Sequence, residues 1–284
     1  SINLGTNQIN MGVSNTILGL DKSDDQLVYT GSGSLINSDN KDFTIKSLTL
    51  AAVGPGSQIL NIDGTTCKNQ LSDNIFANSA SIGTIGGGDL LIIDRNLFSG
   101  NSDGITFTGG LNHLFFRDNI WDDNIAGTVI NMPSGNFGVM QFMGNYFDLP
   151  SGQTGLSIST GITFEHGIVA NNLFVGDGNY MSGFMTSTQD WIFSSNTGVE
   201  DSDAYGFCKF WANNTVTSVS SEYPVYYKVE GANAGSHGER FDHGSVDNRL
   251  TYTGNRHINT KFILNGNVEA TNPNENILIA VYKN

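Results

Sequence analysis

The chain has 284 residues and a net charge of −14, and no apolar run approaches the roughly eighteen residues of a membrane helix. Basic side chains are too few and too scattered to form the stripe that nucleic-acid binding requires. We therefore expect a soluble protein that binds no nucleic acid and does not insert into membranes. Its 35 glycines and many Asn, Ser and Thr residues are typical of tight turns between short strands, whereas helices prefer other residues.

The first segment, residues 1–46, shows short stretches of alternating polarity separated by a polar turn at 21–25. This pattern predicts N-terminal capping coils, or early coils, of a longer repeat. The chain opens at Ser1 without a basic and then apolar leader, so we expect a processed or excised piece of a larger polypeptide.

The next segment, residues 47–230, carries an internal repeat. An Asn followed by a bulky residue and an aromatic recurs at steps of 22 to 27 residues. The repeated asparagines are Asn74, Asn96, Asn119, Asn145 and Asn172, with a degraded copy at Asn196. Ser47 is predicted to occupy the same position one repeat upstream of Asn74. Large apolar residues precede each Asn at a spacing of two, which predicts the inward face of a strand.

A unit of this length, with two or three short strands, cannot bury its own apolar face and must stack on its neighbours. Leucine-rich repeats have a similar length but need a leucine consensus and a helical return segment, which Gly and Asn disfavour. The sequence therefore predicts an all-β fold, a right-handed, single-stranded parallel β-helix of about seven or more coils. We expect the asparagines to form a hydrogen-bonded ladder and to adopt the left-handed turn conformation, beside a column of stacked aromatic rings.

The last segment, residues 231–284, has a different pattern. A loop without large apolar residues is predicted at 231–238, followed by strands at 250–253, 260–264 and 277–282. They alternate like a partial antiparallel β-sandwich. Three strands are too few for an independent sheet, so we expect this module to be truncated or to be completed by other subunits.

The two cysteines, Cys67 and Cys208, lie far apart without a metal-binding spacing. We interpret them as buried free thiols.

The Ile/Phe-x-x-Asn-x-Phe repeats over residues 43–198 resemble viral tail proteins of the pectate-lyase-like β-helix superfamily. Sequences at 240–241, 248–254 and 279–284 look like the start of the β-sandwich tip of phage tail spikes and fibres. The resemblance implies a homotrimer on the virion tail, outside the cell, that contacts host surface polysaccharide and other tail proteins. A glycan depolymerase and a bacterial extracellular adhesin or filament subunit are the alternatives.

Catalytic candidates are few. Asp122 and Asp123 resemble the Asp-Asp motif of polygalacturonases, and Glu165-His166-Gly167 resembles their His-Gly element. The other elements of that family are missing, and the 43 residues from Asp123 to His166 span nearly two coils, where that family uses about one. We therefore favour a protein without enzymatic activity, and a polysaccharide hydrolase over a lyase if there is activity.

A second group of candidates lies one coil apart by the repeat. Asp94 stacked on Asp118 would raise one carboxyl pKa or create a Ca²⁺ site, whereas Arg95 and Arg117 beside them favour solvated ion pairs. No resident cofactor is expected, and Ca²⁺ is the alternative left open. As glycan contacts we select these two arginines and three aromatic residues beyond the last regular repeat, Trp211, Tyr205 and Tyr226.

Overall fold

The computed structural model describes residues 1–122, 127–159, 161–183, 191–199, 205–211, 232–239, 241–243 and 250–253. In the last four of these segments, side chains are described only at residues 241 and 251–253. Every regular element in these ranges is a β-strand. No helix long and apolar enough to cross a membrane is found among them.

Twenty-four strands form three parallel sheets, which the chain visits in turn. Sheet 1 contains β1 (Ile2–Gly5), β4 (Gln26–Tyr29), β7 (Thr49–Ala52), β10 (Ile75–Ala77), β13 (Leu97–Ser99), β16 (Ile120–Asp122), β19 (Tyr146–Asp148) and β22 (Leu173–Val175). Sheet 2 contains β2 (Ile9–Asn10), β5 (Ser34–Asp39), β8 (Gln58–Asp63), β11 (Ser81–Ile85), β14 (Ile105–Phe107), β17 (Thr128–Met132), β20 (Thr154–Ile158) and β23 (Asn179–Ser182). Sheet 3 contains β3 (Asn15–Leu18), β6 (Phe43–Lys46), β9 (Lys68–Ser72), β12 (Gly88–Asp94), β15 (Leu111–Arg117), β18 (Asn136–Met143), β21 (Thr163–Ala170) and β24 (Trp191–Ser194).

Each coil therefore consists of three strands, one in each sheet. Eight stacked strands per sheet give a parallel β-solenoid of about seven turns. The predicted all-β parallel β-helix is confirmed. The strands of residues 1–46 belong to the same three sheets, so this segment forms the first two coils of the stack.

Aromatic rings fill the interior beside sheet 1. Phe76 stacks on Phe98 with ring centroids 4.9 Å apart, and Phe98 stacks on Trp121 at 4.3 Å. Further along the axis, Phe147 stacks on Phe174 at 4.9 Å. All five rings are at most 2% exposed, so the predicted aromatic column is part of the core.

The asparagine ladder runs along the corner between sheets 3 and 1. The Oδ1 atom of Asn119 accepts the backbone N–H and the Nδ2–H of Asn96, both at 3.0 Å. Its own Nδ2 donates to the carbonyl of Ile93 and to Oδ1 of Asn145. Comparable bonds link the sequence-predicted asparagines from Asn74 to Asn196. The ladder is confirmed, and it satisfies buried polar groups at a bend where no strand pairing can.

The left-handed turn, however, does not fall on the asparagines. It falls on the residue before each one, with positive φ at Ser47, Asp73, Arg95, Asp118, Gly144, Asn171 and Ser195. An asparagine whose amide points inward must keep an ordinary backbone, so the preceding residue makes the bend. The predicted position of Ser47 is also wrong by one residue, because Leu48 is the residue whose N–H bonds to Oδ1 of Asn74.

Beyond the solenoid, two antiparallel pairs are described. β25 (Tyr205–Trp211) pairs with β26 (Ala232–Glu239), and β27 (Phe241–His243) pairs with β28 (Leu250–Tyr252). The loop predicted at 231–238 is therefore largely a strand, because main-chain pairing with β25 needs no large apolar side chains. The strands predicted at 260–264 and 277–282 lie outside the described residues, as does the boundary near residue 230.

Cys67 is a buried free thiol, and burial raises its pKa. The side chain of Cys208, on β25, is outside the described part of the chain.

Candidate functional site

The outer surface of sheet 2 carries one continuous row of uncharged polar side chains. Each strand of the sheet contributes one outward residue, and each is directly opposite the next in the parallel register. The row consists of Asn10, Asn37, Asn61, Thr84, Thr106, Asn131, Ser157 and Ser182. We call this row the polar face. It places only amide and hydroxyl groups along the whole length of the solenoid.

Neighbouring groups on the polar face are hydrogen-bonded to one another. Nδ2 of Asn61 donates to Oδ1 of Asn37 at 3.3 Å. Beside the row, Nε2 of Gln58 donates to Oγ of Ser34 at 2.9 Å. The amides are thus held in place, while the residues of the face remain half-buried or exposed and can bond to a ligand. Such a surface suits a partner that is itself rich in hydroxyl groups.

A second group of polar residues lies outside the ladder, at the corner between sheets 3 and 1. We call Asp73, Asp94, Arg95, Arg117 and Asp118 the charged corner. Nε of Arg95 lies 2.9 Å from Oδ1 of Asp73, and its Nη1 contacts Asp94. Asp94 is buried and also accepts a hydrogen bond from Ser72.

The ion pairs of the charged corner shift two pKa values. The hydrogen bond from Arg95 lowers the pKa of Asp73, and Lys46 at 3.6 Å acts in the same direction. The hydrogen bond to Asp73 raises the pKa of Arg95. This part of the corner is a compact network of opposite charges.

The expected stacking of Asp94 on Asp118 does not occur. Asp94 lies opposite Arg117, because the coil step here is 23 residues, whereas Asp94 and Asp118 are 24 residues apart. The Arg95 guanidinium lies between Asp73 and Asp94, so these carboxylates do not fit a Ca²⁺ site. Within the described ranges, no group of three or more His, Cys, Asp or Glu side chains could hold a metal ion.

Another carboxylate pair does share a register. Asp122 at the end of β16 lies opposite Asp148 at the end of β19 on sheet 1. Strands in a sheet lie about 4.8 Å apart, so the two carboxylates are neighbours on the outer surface. Asp148 was missed because it lies just after the Asn-Tyr-Phe repeat, outside any recognised motif. Asp123 lies outside the described residues.

The aromatic candidates cannot be placed as contacts. Tyr205 and Trp211 are the two ends of β25, and their side chains are outside the described set. Tyr226 also lies outside it. The sequence analysis missed the polar face, although aligning the second strand of each repeat would have shown Asn, Thr or Ser at its middle in every coil.

A comparison with protein-family models, with curated proteins and with solved structures found no match to this chain. The assignment as a parallel β-solenoid therefore depends on the strand register itself.

Proposed function

We propose that this chain is the receptor-binding shaft of a phage tail spike or fibre and that its polar face contacts a host surface glycan. The observation that carries the proposal is the polar face, eight uncharged amide and hydroxyl side chains in line along a rigid scaffold. The resemblance of the repeat to tail proteins supports the setting, on the virion tail and outside the cell.

The physical basis is hydrogen bonding repeated along an axis. Eight strands at about 4.8 Å span roughly 34 Å, which is long enough for several sugar rings lying along the solenoid. Each net hydrogen bond contributes only about 1 kcal/mol, so affinity must come from many of them acting together on one extended chain. Because the face is preorganised by its own amide contacts, little side-chain entropy is lost on binding.

The same proposal includes assembly. A shaft of this kind would act as a homotrimer joined to other tail proteins, and the segment after β24 would contact either the partner subunits or the glycan. Tail attachment is tested on virions. Antibodies raised against residues 1–199 should label the tail in electron micrographs, and labelling confined to bacterial surfaces would instead favour the adhesin alternative.

Glycan binding is tested with purified lipopolysaccharide and capsular polysaccharide from candidate hosts. The triple variant Thr84→Ala, Thr106→Ala, Asn131→Ala should bind at least tenfold more weakly. The matched control is Thr44→Ala, Gln70→Ala, Gln141→Ala on the outer side of sheet 3, which should bind like the parent. Equal binding by both triple variants would contradict the assignment of the polar face.

The pair of Asp122 and Asp148 favours a second candidate function, hydrolysis of the bound glycan. Two carboxylates about 5 Å apart suit a retaining glycosidase, in which one acts as acid and base and the other as nucleophile. The test is the release of new reducing ends from the polysaccharide that binds. Asp122→Asn and Asp148→Asn should each abolish release without loss of binding, and Asp123→Asn tests the remaining candidate. No release by the parent protein would leave the shaft as a binding module.

A further inference from the structure

We propose that the charged corner docks against the same corner of a second copy of this chain, with the two solenoids parallel and in register. This deepens the proposed function, on which it rests for the expectation of self-assembly, by naming the surface that joins the subunits.

The first observation is a pair of charges without partners. Arg95 is held by Asp73 and Asp94, but Arg117 and Asp118 form no ion pair with any residue in the described ranges. The Arg117 guanidinium lies 5.1 Å from the centre of the Phe115 ring, and Asp118 is exposed. Opposite charges therefore stand side by side on one coil, both facing outward.

Their order makes the corner complementary to itself. Arg117 belongs to the column that continues sheet 3, and Asp118 belongs to the adjacent turn column at the same height. When two copies lie parallel around a common axis, the first column of one faces the second column of the next. Arg117 then meets Asp118 of its neighbour, and the same geometry repeats around a closed ring.

Apolar side chains flank the charges on both sides. On sheet 1, the outward residues Ile75, Leu97, Ile120, Tyr146 and Leu173 form one column in direct register. Ile120 is 48% exposed and Leu173 is 38% exposed. On sheet 3, Ile168 is opposite Ile192, which is 56% exposed. Burial of these side chains would supply the main driving force, and the charges would fix the register.

The repeat itself points to a second copy as the occupant. The apolar column rises by one strand spacing, about 4.8 Å, at each of five coils. A partner that matches it along its length must present apolar groups with the same rise and opposite charges at the height of Arg117. A parallel copy of this chain meets both requirements.

The test is the mass of the full chain in solution, measured by sedimentation equilibrium. Arg117→Asp and Asp118→Arg should each place like charges in contact and weaken association at least tenfold. The double exchange, Arg117→Asp with Asp118→Arg, restores the complementarity and should return association to within about threefold of the parent. Asp24→Arg, on an exposed turn of the second coil, is the control and should have no effect.

A second arm tests the apolar column. Ile120→Asp should weaken association at least tenfold, whereas Leu20→Asp, at a side chain that is 100% exposed, should not. Far-ultraviolet circular dichroism checks that each variant is folded. A monomeric parent, open-ended polymers, or a double exchange as weak as the single variants would overturn the proposal. Glycan binding is measured separately, so failure of assembly and failure of receptor binding are distinguishable.

Discussion

Two neighbouring positions in every coil follow opposite rules. The ladder position is Asn in six consecutive coils, with Leu48 in the coil before them, and its side chain points inward. The turn position before it is different in almost every coil, with Ser47, Asp73, Arg95, Asp118, Gly144, Asn171 and Ser195. One position repeats and the next one varies, although the backbone conformation at both is the same from coil to coil.

The difference shows where a solenoid can change. A ladder side chain must match the coils on both sides, since each Asn donates to one neighbour and accepts from another. A turn side chain points away from the stack and has no such obligation, so only its backbone is constrained. We therefore expect function to reside on outward positions and stability to reside on inward ones.

The largest effect is expected in the aromatic column. Phe98→Ala should lower the free energy of unfolding by about 3–5 kcal/mol, because Phe98 is fully buried and stacks on both Phe76 and Trp121. Leu90→Ala, at a half-buried outward position, should cost about 1 kcal/mol or less. Chemical denaturation measures both values. Similar losses for the two variants would show that the interior tolerates change as well as the exterior does.

The next largest effect is expected in the ladder. Asn119→Ala leaves the N–H of Asn96 and the carbonyl of Ile93 without partners, so we expect a loss of about 2–4 kcal/mol. The control is Asn61→Ala on the polar face, where the lost amide contact is open to water and should cost less than about 0.5 kcal/mol. Losses of equal size would mean that inward and outward amides are equivalent.

The contrast also explains how much the sequence predicted. The repeat reports inward residues, so the coils, the ladder and the aromatic column could be deduced from Asn and Phe spacing alone. The left-handed position carries no such signature, since residues as unlike as Arg95 and Gly144 adopt it. Likewise, Asp94 pairs with Arg117 because a coil step is 23 residues there, and a spacing of 24 moved the expected partner by one position.

A smaller effect is expected from the turn backbone. Ser47 has a φ of 58°, which costs a residue with a Cβ atom about 1 kcal/mol, and Gly adopts this conformation without strain. Ser47→Gly should therefore raise the free energy of unfolding by about 0.5–1 kcal/mol. Ser99→Gly on β13 should instead lower it by a similar amount, because glycine weakens an extended strand. Thermal and chemical unfolding measure the two changes, and equal signs would contradict the assignment of the bend.

The smallest effect is expected from the ion pairs of the charged corner, and it depends on pH. The pKa of Asp73 is lowered in the folded chain, mainly by the hydrogen bond from Arg95, while an unfolded Asp titrates near about 3.9. A lowered folded pKa stabilises the fold above the unfolded pKa, and this contribution is lost as the pH falls through the folded value. The parent should therefore exceed Asp73→Asn in unfolding free energy above about pH 5, and the difference should disappear in stronger acid. In an Arg95→Gln background the difference should shrink at every pH, because the donor that lowers the pKa has been removed. A difference that stays constant from pH 7 down to pH 2 would show that Asp73 contributes through packing and that outward charges in this solenoid stabilise nothing by pairing.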